Sequence, residues 1–237
     1  MRTLCVTLLL LASVPLLATP SGLTWIPDTD TQTAHVWHLD SDTYIYSGGL
    51  NGSLSNAPYV DEGVLYGVTS RVEVGVDYAA EFANAKGVRE SPFFFNAKYQ
   101  LLAPSASAKC PFTFSVCACN VSPTSAANAQ MLYGVGSIAF HNGMTRFTAG
   151  GYEGRQSVIG ADNGGCLLGA EQYLDKAKKW WLSADFQSGE NLYGAINGGL
   201  GYNITPNLEV IAGYDHYNDP SIVGANSSVN VQVDINL

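Results

Sequence analysis

The chain ends on the stretch Val229-Asn230-Val231-Gln232-Val233-Asp234-Ile235-Asn236-Leu237, in which apolar and polar side chains alternate without a break. Successive side chains of a β-strand point to opposite faces, so this stretch predicts a strand with one apolar face and one polar face. The same alternation occurs in residues 72–78 and in residues 180–187. These segments therefore predict a sheet that separates an apolar environment from a polar one.

The composition indicates which apolar environment the sheet faces. Only 13% of the 237 residues are charged, whereas the outer face of a soluble sandwich would carry more Lys, Glu and Thr. Aromatic side chains lie near the predicted strand ends on the apolar parity, where membrane barrels carry aromatic girdles. They are Trp37, Tyr78, Phe93, Tyr99, Trp180, Tyr202 and Tyr214. The pattern favours a barrel in lipid, and a soluble sandwich with an aromatic core is the alternative.

Alternating segments recur at about the length of a tilted membrane strand, which is ~9–11 residues. There are twelve, at residues 33–46, 62–69, 71–83, 92–103, 112–121, 129–140, 144–153, 165–174, 178–188, 191–203, 206–217 and 227–237. Short turn sequences such as His141-Asn142-Gly143 follow most even-numbered segments, and longer gaps follow most odd-numbered ones. We therefore predict an all-β fold, a transmembrane antiparallel up-and-down β-barrel of about 12 strands with both ends in the periplasm.

The start of the chain differs from the rest. Arg2 precedes an apolar run that ends near Leu17, and small residues follow it up to Ser21. This is the pattern of a secretory signal peptide, and the run is too short to span a ~30 Å bilayer core as a helical anchor. We expect residues 1–21 to be a signal peptide, cut after Ala18 or Ser21, and residues 22–237 to form a single barrel domain.

The signal, the amphipathic hairpins and a final strand that runs to the chain end together resemble bacterial outer-membrane β-barrel proteins. The resemblance is architectural and porin-like, and it points to no particular family. It implies a bacterial outer-membrane location, with the lipid bilayer as a partner. The final strand, residues 229–237, resembles the C-terminal signal read by the barrel assembly machinery, except that Leu237 stands where that signal usually has an aromatic residue.

Strand parity assigns the polar side chains to the barrel interior, and acids outnumber bases among them. The predicted pore-lining residues are Glu73, Asp77, Glu81, Lys98, Arg146, Glu171, Asp185, Glu209, Asp215 and Asp234. An acidic lumen with low-dielectric walls concentrates cations. Small residues share the inward parity and favour a narrow pore over a filled interior: Gly75, Ala79, Ser115, Ala195, Gly199, Gly201 and Gly213.

Parity and turn length also predict pairings between neighbouring strands. The expected pairs are Gly67 with Glu73, Val68 with Val72, Tyr202 with Val210, and Asp77 with Lys98 as a lateral ion pair in the lumen.

The leading functional hypothesis is a porin-like channel for passive diffusion of small polar solutes, with a preference for cations. The alternative is a structural or adhesive barrel with a closed lumen, whose loops at 47–61, 154–164 and 218–226 meet a partner. A hydrolase with a site at the rim is a third hypothesis, since the chain contains four histidines. We expect no enzyme, because no Gly-rich phosphate loop and no G-x-S-x-G motif occurs in the sequence.

The remaining chemistry of the sequence is sparse. The net charge of −9 argues against a nucleic-acid partner. His38 shares a face with Asp40 and Asp42 and could form a small cation site, although a solvated polar face is the simpler interpretation. Neither a cofactor nor a metal is expected. Four cysteines follow the signal, at positions 110, 117, 119 and 166, and their pairing stays open; a bond between Cys117 and Cys119 is awkward at the ~6.6 Å spacing of a strand.

Overall fold

The computed structural model describes residues 22–47, 58–81, 93–103, 112–123, 125 and 128–237. In this part of the chain, twelve strands form one closed antiparallel barrel, in which each strand pairs with its neighbours in sequence and the last pairs with the first. The strands are β1 (Trp37–Tyr46), β2 (Tyr59–Thr69), β3 (Val72–Glu81), β4 (Phe93–Leu102), β5 (Phe112–Val121), β6 (Met131–Phe140), β7 (Thr145–Glu153), β8 (Gly164–Tyr173), β9 (Trp180–Gln187), β10 (Ala195–Thr205), β11 (Leu208–Tyr217) and β12 (Ser227–Asn236). The predicted fold and strand number are confirmed.

Two short helices, α1 (Gln156–Ile159) and α2 (Pro220–Val223), interrupt the loops after β7 and β11. No helix in the described ranges is long and apolar enough to cross a membrane.

The alternation of the sequence becomes an alternation of exposure. In β12, Val229 is 49% exposed and Val231 is 40% exposed, whereas the intervening Asn230 is fully buried. The predicted girdle aromatics lie on the same outer face, with Trp37, Phe93 and Tyr214 each about half exposed. The outer surface is thus apolar and the polar side chains point inward, the reverse of a soluble protein.

The two ends of the barrel differ. One end, here called the turn rim, carries the short connections after β2, β6, β8 and β10, together with the start of β1 and the end of β12. The opposite end is called the loop rim. The first predicted segment began at residue 33, but β1 begins at Trp37, because residues 33–36 instead close the turn rim. There the amide of His35 donates to the carbonyl of Gly67 at 2.7 Å, and the amide of Gly67 donates to that of Val36.

The strand register confirms two of the predicted pairs and corrects two. Gly67 lies opposite Glu73, and Tyr202 lies opposite Val210, as expected. Val72 lies opposite Thr69 and not Val68, because the ladder is irregular between Gly67 and Thr69. The Asp77–Lys98 pair is wrong, since Lys98 lies opposite Glu73 and Asp77 lies opposite Phe94. Parity fixes the face of each side chain but not its height, and the connection between these strands carried no register signal.

The cysteines also depart from expectation. Cys117 and Cys119 form a disulfide, with Cα atoms 6.1 Å apart. This spacing is shorter than that of an ideal strand and lies within the range that a disulfide tolerates. The next residue, Asn120, has a positive φ of 54°, and the β4–β5 ladder shifts register nearby, so the strand is not regular here. Cys166 is free and exposed, and Cys110 lies outside the described residues.

Part of the described chain before β1 lies inside the barrel. Residues 22–32, here called the plug, carry no strand alternation and were not predicted to occupy the lumen. A bridge between Gly22 and Pro27 closes a tight bend. Leu23 and Ile26 beside this bend are buried in an apolar cluster that includes Met131, Val135 and Leu167 of the barrel wall. The lumen therefore has a small core of its own.

Candidate functional site

The first part of the plug, at Thr24 and Trp25, is hydrogen-bonded to β9 and β12. The side chain of Gln232 donates to the carbonyl of Thr24 at 2.8 Å, and the hydroxyls of Thr24 and Ser183 contact each other. The amide of Trp25 donates to the carboxylate of Asp185 at 3.1 Å. These contacts satisfy plug groups that would otherwise be buried without partners.

The lower part of the plug binds β4 and β5. The carbonyl of Thr29 accepts hydrogen bonds from Gln100 at 2.8 Å and from Ser115 at 2.6 Å. The hydroxyl of Thr29 also contacts that of Thr113. Because Thr29 is fully buried, the plug is an ordered part of the interior.

An ion network joins the plug to β3, β4, β7 and β8. Asp28 has no solvent exposure and lies 2.8 Å from Arg146 and 3.4 Å from Lys98. Arg146 also pairs with Asp30 of the plug and with Glu171 of β8. Lys98 pairs with Glu73 at 3.5 Å. The two predicted lumen bases are therefore shared between wall acids and plug acids.

Glycines of the wall make room for the plug. A Cβ atom on Gly199 would lie 2.6 Å from the hydroxyl of Thr24, and one on Gly169 would lie 2.6 Å from the side chain of Leu23. Both approaches are closer than van der Waals contact allows. The small inward residues predict space for a pore, but at Gly199 the plug fills that space.

On the other side, the plug leaves a space along β1 to β5. A cavity of about 260 Å³ lies between plug residues 22–27 and this wall. A second cavity of about 210 Å³ lies nearer the loop rim. The two cavities share the lining residues Trp25, Tyr44, Asp61, Asn120 and Tyr133. We call the combined space the corridor.

The corridor is acidic. The carboxylates that line it are Asp40, Asp42, Asp61, Glu73, Asp77 and Asp234. Two cross-strand pairs place like charges directly opposite each other, Asp42 with Asp61 and Asp40 with Asp234. Such pairs are unfavourable unless a cation or a proton offsets them. At the end near the turn rim, Lys98 and His38 also line the space.

His38 is held by neighbours on β12. Its Nε2 atom lies 3.2 Å from Asp234 Oδ1, and its Nδ1 atom lies 3.0 Å from Asn236 Oδ1. His38, Asp40 and Asp42 do share the inner face, as predicted. No group of three or more His, Cys, Asp or Glu side chains in the described ranges is arranged to hold a metal ion. The ring nitrogens of His38 bind a carboxylate and an amide, which is not the Ser–His contact of a hydrolase.

The predicted pore-lining residues fall into three groups. Those that line the corridor are Glu73, Asp77, Lys98 and Asp234. Arg146 and Asp185 contact the plug without lining the corridor, and Glu171 pairs with Arg146. The others lie on the inner face of β11 and do not line the corridor; Glu209 accepts from the indole of Trp181, and Asp215 accepts from Ser228 and Asn230. The side chain of Glu81 lies outside the described residues.

Five interior acids were not among the predicted pore-lining residues. Asp28 and Asp30 belong to the plug, and nothing in its sequence marks it as internal. Asp40, Asp42 and Asp61 share strict inward parity with His38 and Gly63, so the alternation of β1 and β2 could have found them.

Several solved structures align with the chain. An outer-membrane channel from Pseudomonas putida F1 aligns with a TM-score of 0.49 and 10% identity, over 89% of this chain and 98% of that one. Outer membrane phospholipase A from Escherichia coli aligns at 0.47 with 12% identity, over 86% of this chain and 92% of that one. Outer membrane protein Omp33 from Acinetobacter baumannii aligns at 0.45 with 12% identity, over 87% of this chain and 100% of that one. No protein-family model and no curated protein matches the chain.

Similarities this weak say nothing about what the chain does. The closed barrel with an apolar outer face and a polar interior is itself the architecture by which β-sheets cross an outer membrane. The chain therefore has the architecture of a bacterial outer-membrane β-barrel.

Proposed function

We propose that this barrel is an outer-membrane channel for passive diffusion of small polar solutes with a preference for cations, and that the solutes pass beside the plug. The observation that carries the proposal is the corridor, whose wall presents Asp40, Asp42, Asp61, Asp77 and Asp234. Carboxylates in a narrow, low-dielectric space raise the local concentration of cations and exclude anions.

The proposal refines which acids set the selectivity. The carboxylates of Asp185 and Asp215 lie outside the corridor and accept hydrogen bonds from Asn197, Ser228 and Asn230. Asp42 and Asp61 lie opposite each other on the corridor wall. We therefore expect the cation selectivity to depend more on Asp42 and Asp61 than on Asp185 and Asp215.

The test is the reversal potential of the purified barrel in a planar bilayer under a salt gradient. Asp42→Asn with Asp61→Asn should shift this potential toward zero, because each removed charge weakens cation accumulation. Glu62→Gln is the matched control, since Glu62 is adjacent to Asp61 but points outward and accepts from Ser41. Asp185→Asn with Asp215→Asn should shift the potential less. The selectivity should weaken at 1 M salt, where the screening length is ~3 Å.

A closed barrel is the second candidate, and the plug favours it. Plug residues contact β4, β5, β7, β9 and β12, and Asp28 is fully buried among them. A preparation that refolds but gives no current steps would support a structural or adhesive barrel with partner-binding loops. Anion-selective steps would contradict the role assigned to the corridor acids.

We also propose that the barrel assembly machinery recognises β12. This strand closes the barrel against β1, and the backbone of Leu237 exchanges hydrogen bonds with that of Trp37. If the assembly machinery reads the side chain at position 237, Leu237→Phe should increase the yield of folded barrel in cells, whereas Leu237→Asp should lower it.

A further inference from the structure

The corridor becomes aromatic toward the loop rim. Trp25 of the plug lies edge-on to Tyr44 of β1, with ring centroids 5.9 Å apart, and Tyr44 lies 5.9 Å from Tyr59 of β2. All three rings line the cavity of about 210 Å³. The indole of Trp25 is fixed, because its Nε1 donates to the carbonyl of Tyr193 at 2.9 Å. Three rings around one small space resemble the aromatic cages that recognise alkylammonium groups.

The same space has carboxylates at its lower end. Asp61 lines both cavities and lies directly opposite Asp42 on the inner face of the barrel. Lys98 and Arg146 are engaged by Asp28, Asp30, Glu73 and Glu171. Two facing aspartates below a ring of aromatic side chains attract a cation that also has an apolar surface.

A further carboxylate lies deeper in the corridor, below the aromatic part. Asp234 is 5% exposed and lines the larger cavity. Its Oδ1 lies 3.2 Å from His38, while its Oδ2 has no hydrogen-bond partner among the described residues. Buried carboxylate oxygens usually have donors, so Asp234 Oδ2 is available to accept a hydrogen bond from a cation that enters the corridor.

We propose that the corridor binds small organic ammonium cations, with the charged head between Asp42 and Asp61 and the alkyl groups against Trp25, Tyr44 and Tyr59. Cation–π contact and the carboxylates act on the same group, so an organic ammonium is favoured both over a neutral molecule of equal shape and over a bare metal ion. The inference deepens the proposed channel function by naming a substrate class and rests on it only for the transport step, because binding needs no conduction.

The test is calorimetric titration of the folded barrel in detergent at low salt with choline and with 3,3-dimethylbutan-1-ol, its neutral carbon analogue. We expect choline to bind at least about tenfold more tightly than the neutral analogue. Asp61→Asn and Tyr59→Leu should each weaken choline binding by about tenfold. Glu62→Gln and Tyr214→Leu are the matched controls, since both side chains lie on the outer face near the loop rim. Heat-modifiable migration on gels checks that each variant is folded.

The outcomes separate this inference from the channel proposal. Equal affinity for choline and its neutral analogue, or unchanged affinity in folded Asp61→Asn and Tyr59→Leu barrels, would overturn the ammonium site even if the barrel conducts sodium. Choline binding that depends on both residues, in a barrel that gives no current steps, would support the site and reject the channel. Weakening in the Glu62→Gln and Tyr214→Leu controls as large as in the corridor variants would also contradict the site.

Discussion

At the residue scale, Arg146 joins two parts of the chain that are distant in sequence. Its guanidinium contacts Glu171 on the neighbouring strand and Asp28 and Asp30 in the plug. The side chain of Arg146 is 17% exposed, and that of Asp28 has no exposure. The planar fork of an arginine suits several carboxylates at once, which a lysine at this position could not bind in the same way.

Replacing Arg146 tests how firmly the plug is held. Arg146→Met leaves buried carboxylates without their main partner, and we expect it to lower the free energy of unfolding by about 3 kcal/mol. Arg146→Lys should recover part of this loss. Denaturant unfolding in detergent measures the change, and Arg71→Met, at an exposed turn-rim position, is the control. Equal stability of the Arg146→Met barrel and the wild type would mean that the network does not fasten the plug.

Single residues also show what sequence reasoning can and cannot reach. The inward direction of Lys98 and Arg146 followed from strand parity, because a period of two fixes the face of every side chain. Their partners did not follow. Lys98 pairs with Glu73 and Asp28. These partners could not be predicted, because the height of one strand against the next depends on connections that carry no periodic signal.

At the element scale, the strands and the plug differ in how far the sequence predicts them. The strands follow an alternation of apolar and polar residues, so the bounds of the predicted segments lie within a few residues of the observed strand bounds. Residues 22–32 have no period, and their place in the lumen depends on contacts with residues far along the chain, such as Ser183 and Gln232. The inward glycines of the wall, such as Gly199, predict open space on parity alone, and only the structure shows that the plug fills it.

A disulfide between the plug and the wall tests whether the plug must move. Thr24→Cys with Ser183→Cys joins two hydroxyl positions in contact, in a background with Cys110→Ser and Cys166→Ser. If solutes pass along the corridor, oxidation should raise the unfolding temperature and leave the single-channel conductance within about twofold of the reduced state. The measurement is planar-bilayer current before and after reduction. Loss of current on oxidation, restored by reductant, would show that solutes need the plug to leave.

At the scale of the whole molecule, the sequence predicts the barrel wall but not what occupies the lumen. The closed barrel could be predicted because a membrane demands that every backbone hydrogen bond be satisfied without water. The membrane places no such requirement on what fills the lumen. A lumen can be open, filled or divided with the same outer pattern, and here the plug and the corridor divide it. The corridor acids Asp40 and Asp42 were visible as a polar face, but their positions opposite Asp234 and Asp61 on the adjacent strands were not.

The apolar outer face predicts that the cost of an introduced charge depends on its depth in the bilayer. Leu200 lies at the centre of β10 and Ile204 near its turn-rim end, and both point outward with 40% and 46% exposure. Leu200→Arg should therefore lower the free energy of unfolding by about 2–4 kcal/mol, whereas Ile204→Arg should cost about 0–1 kcal/mol, because the charge reaches water near the interface. Reversible unfolding from lipid vesicles measures both values. The two positions match in strand and in exposure, so equal costs would mean that the apolar belt of this barrel does not sit in a bilayer with its turn rim at one surface.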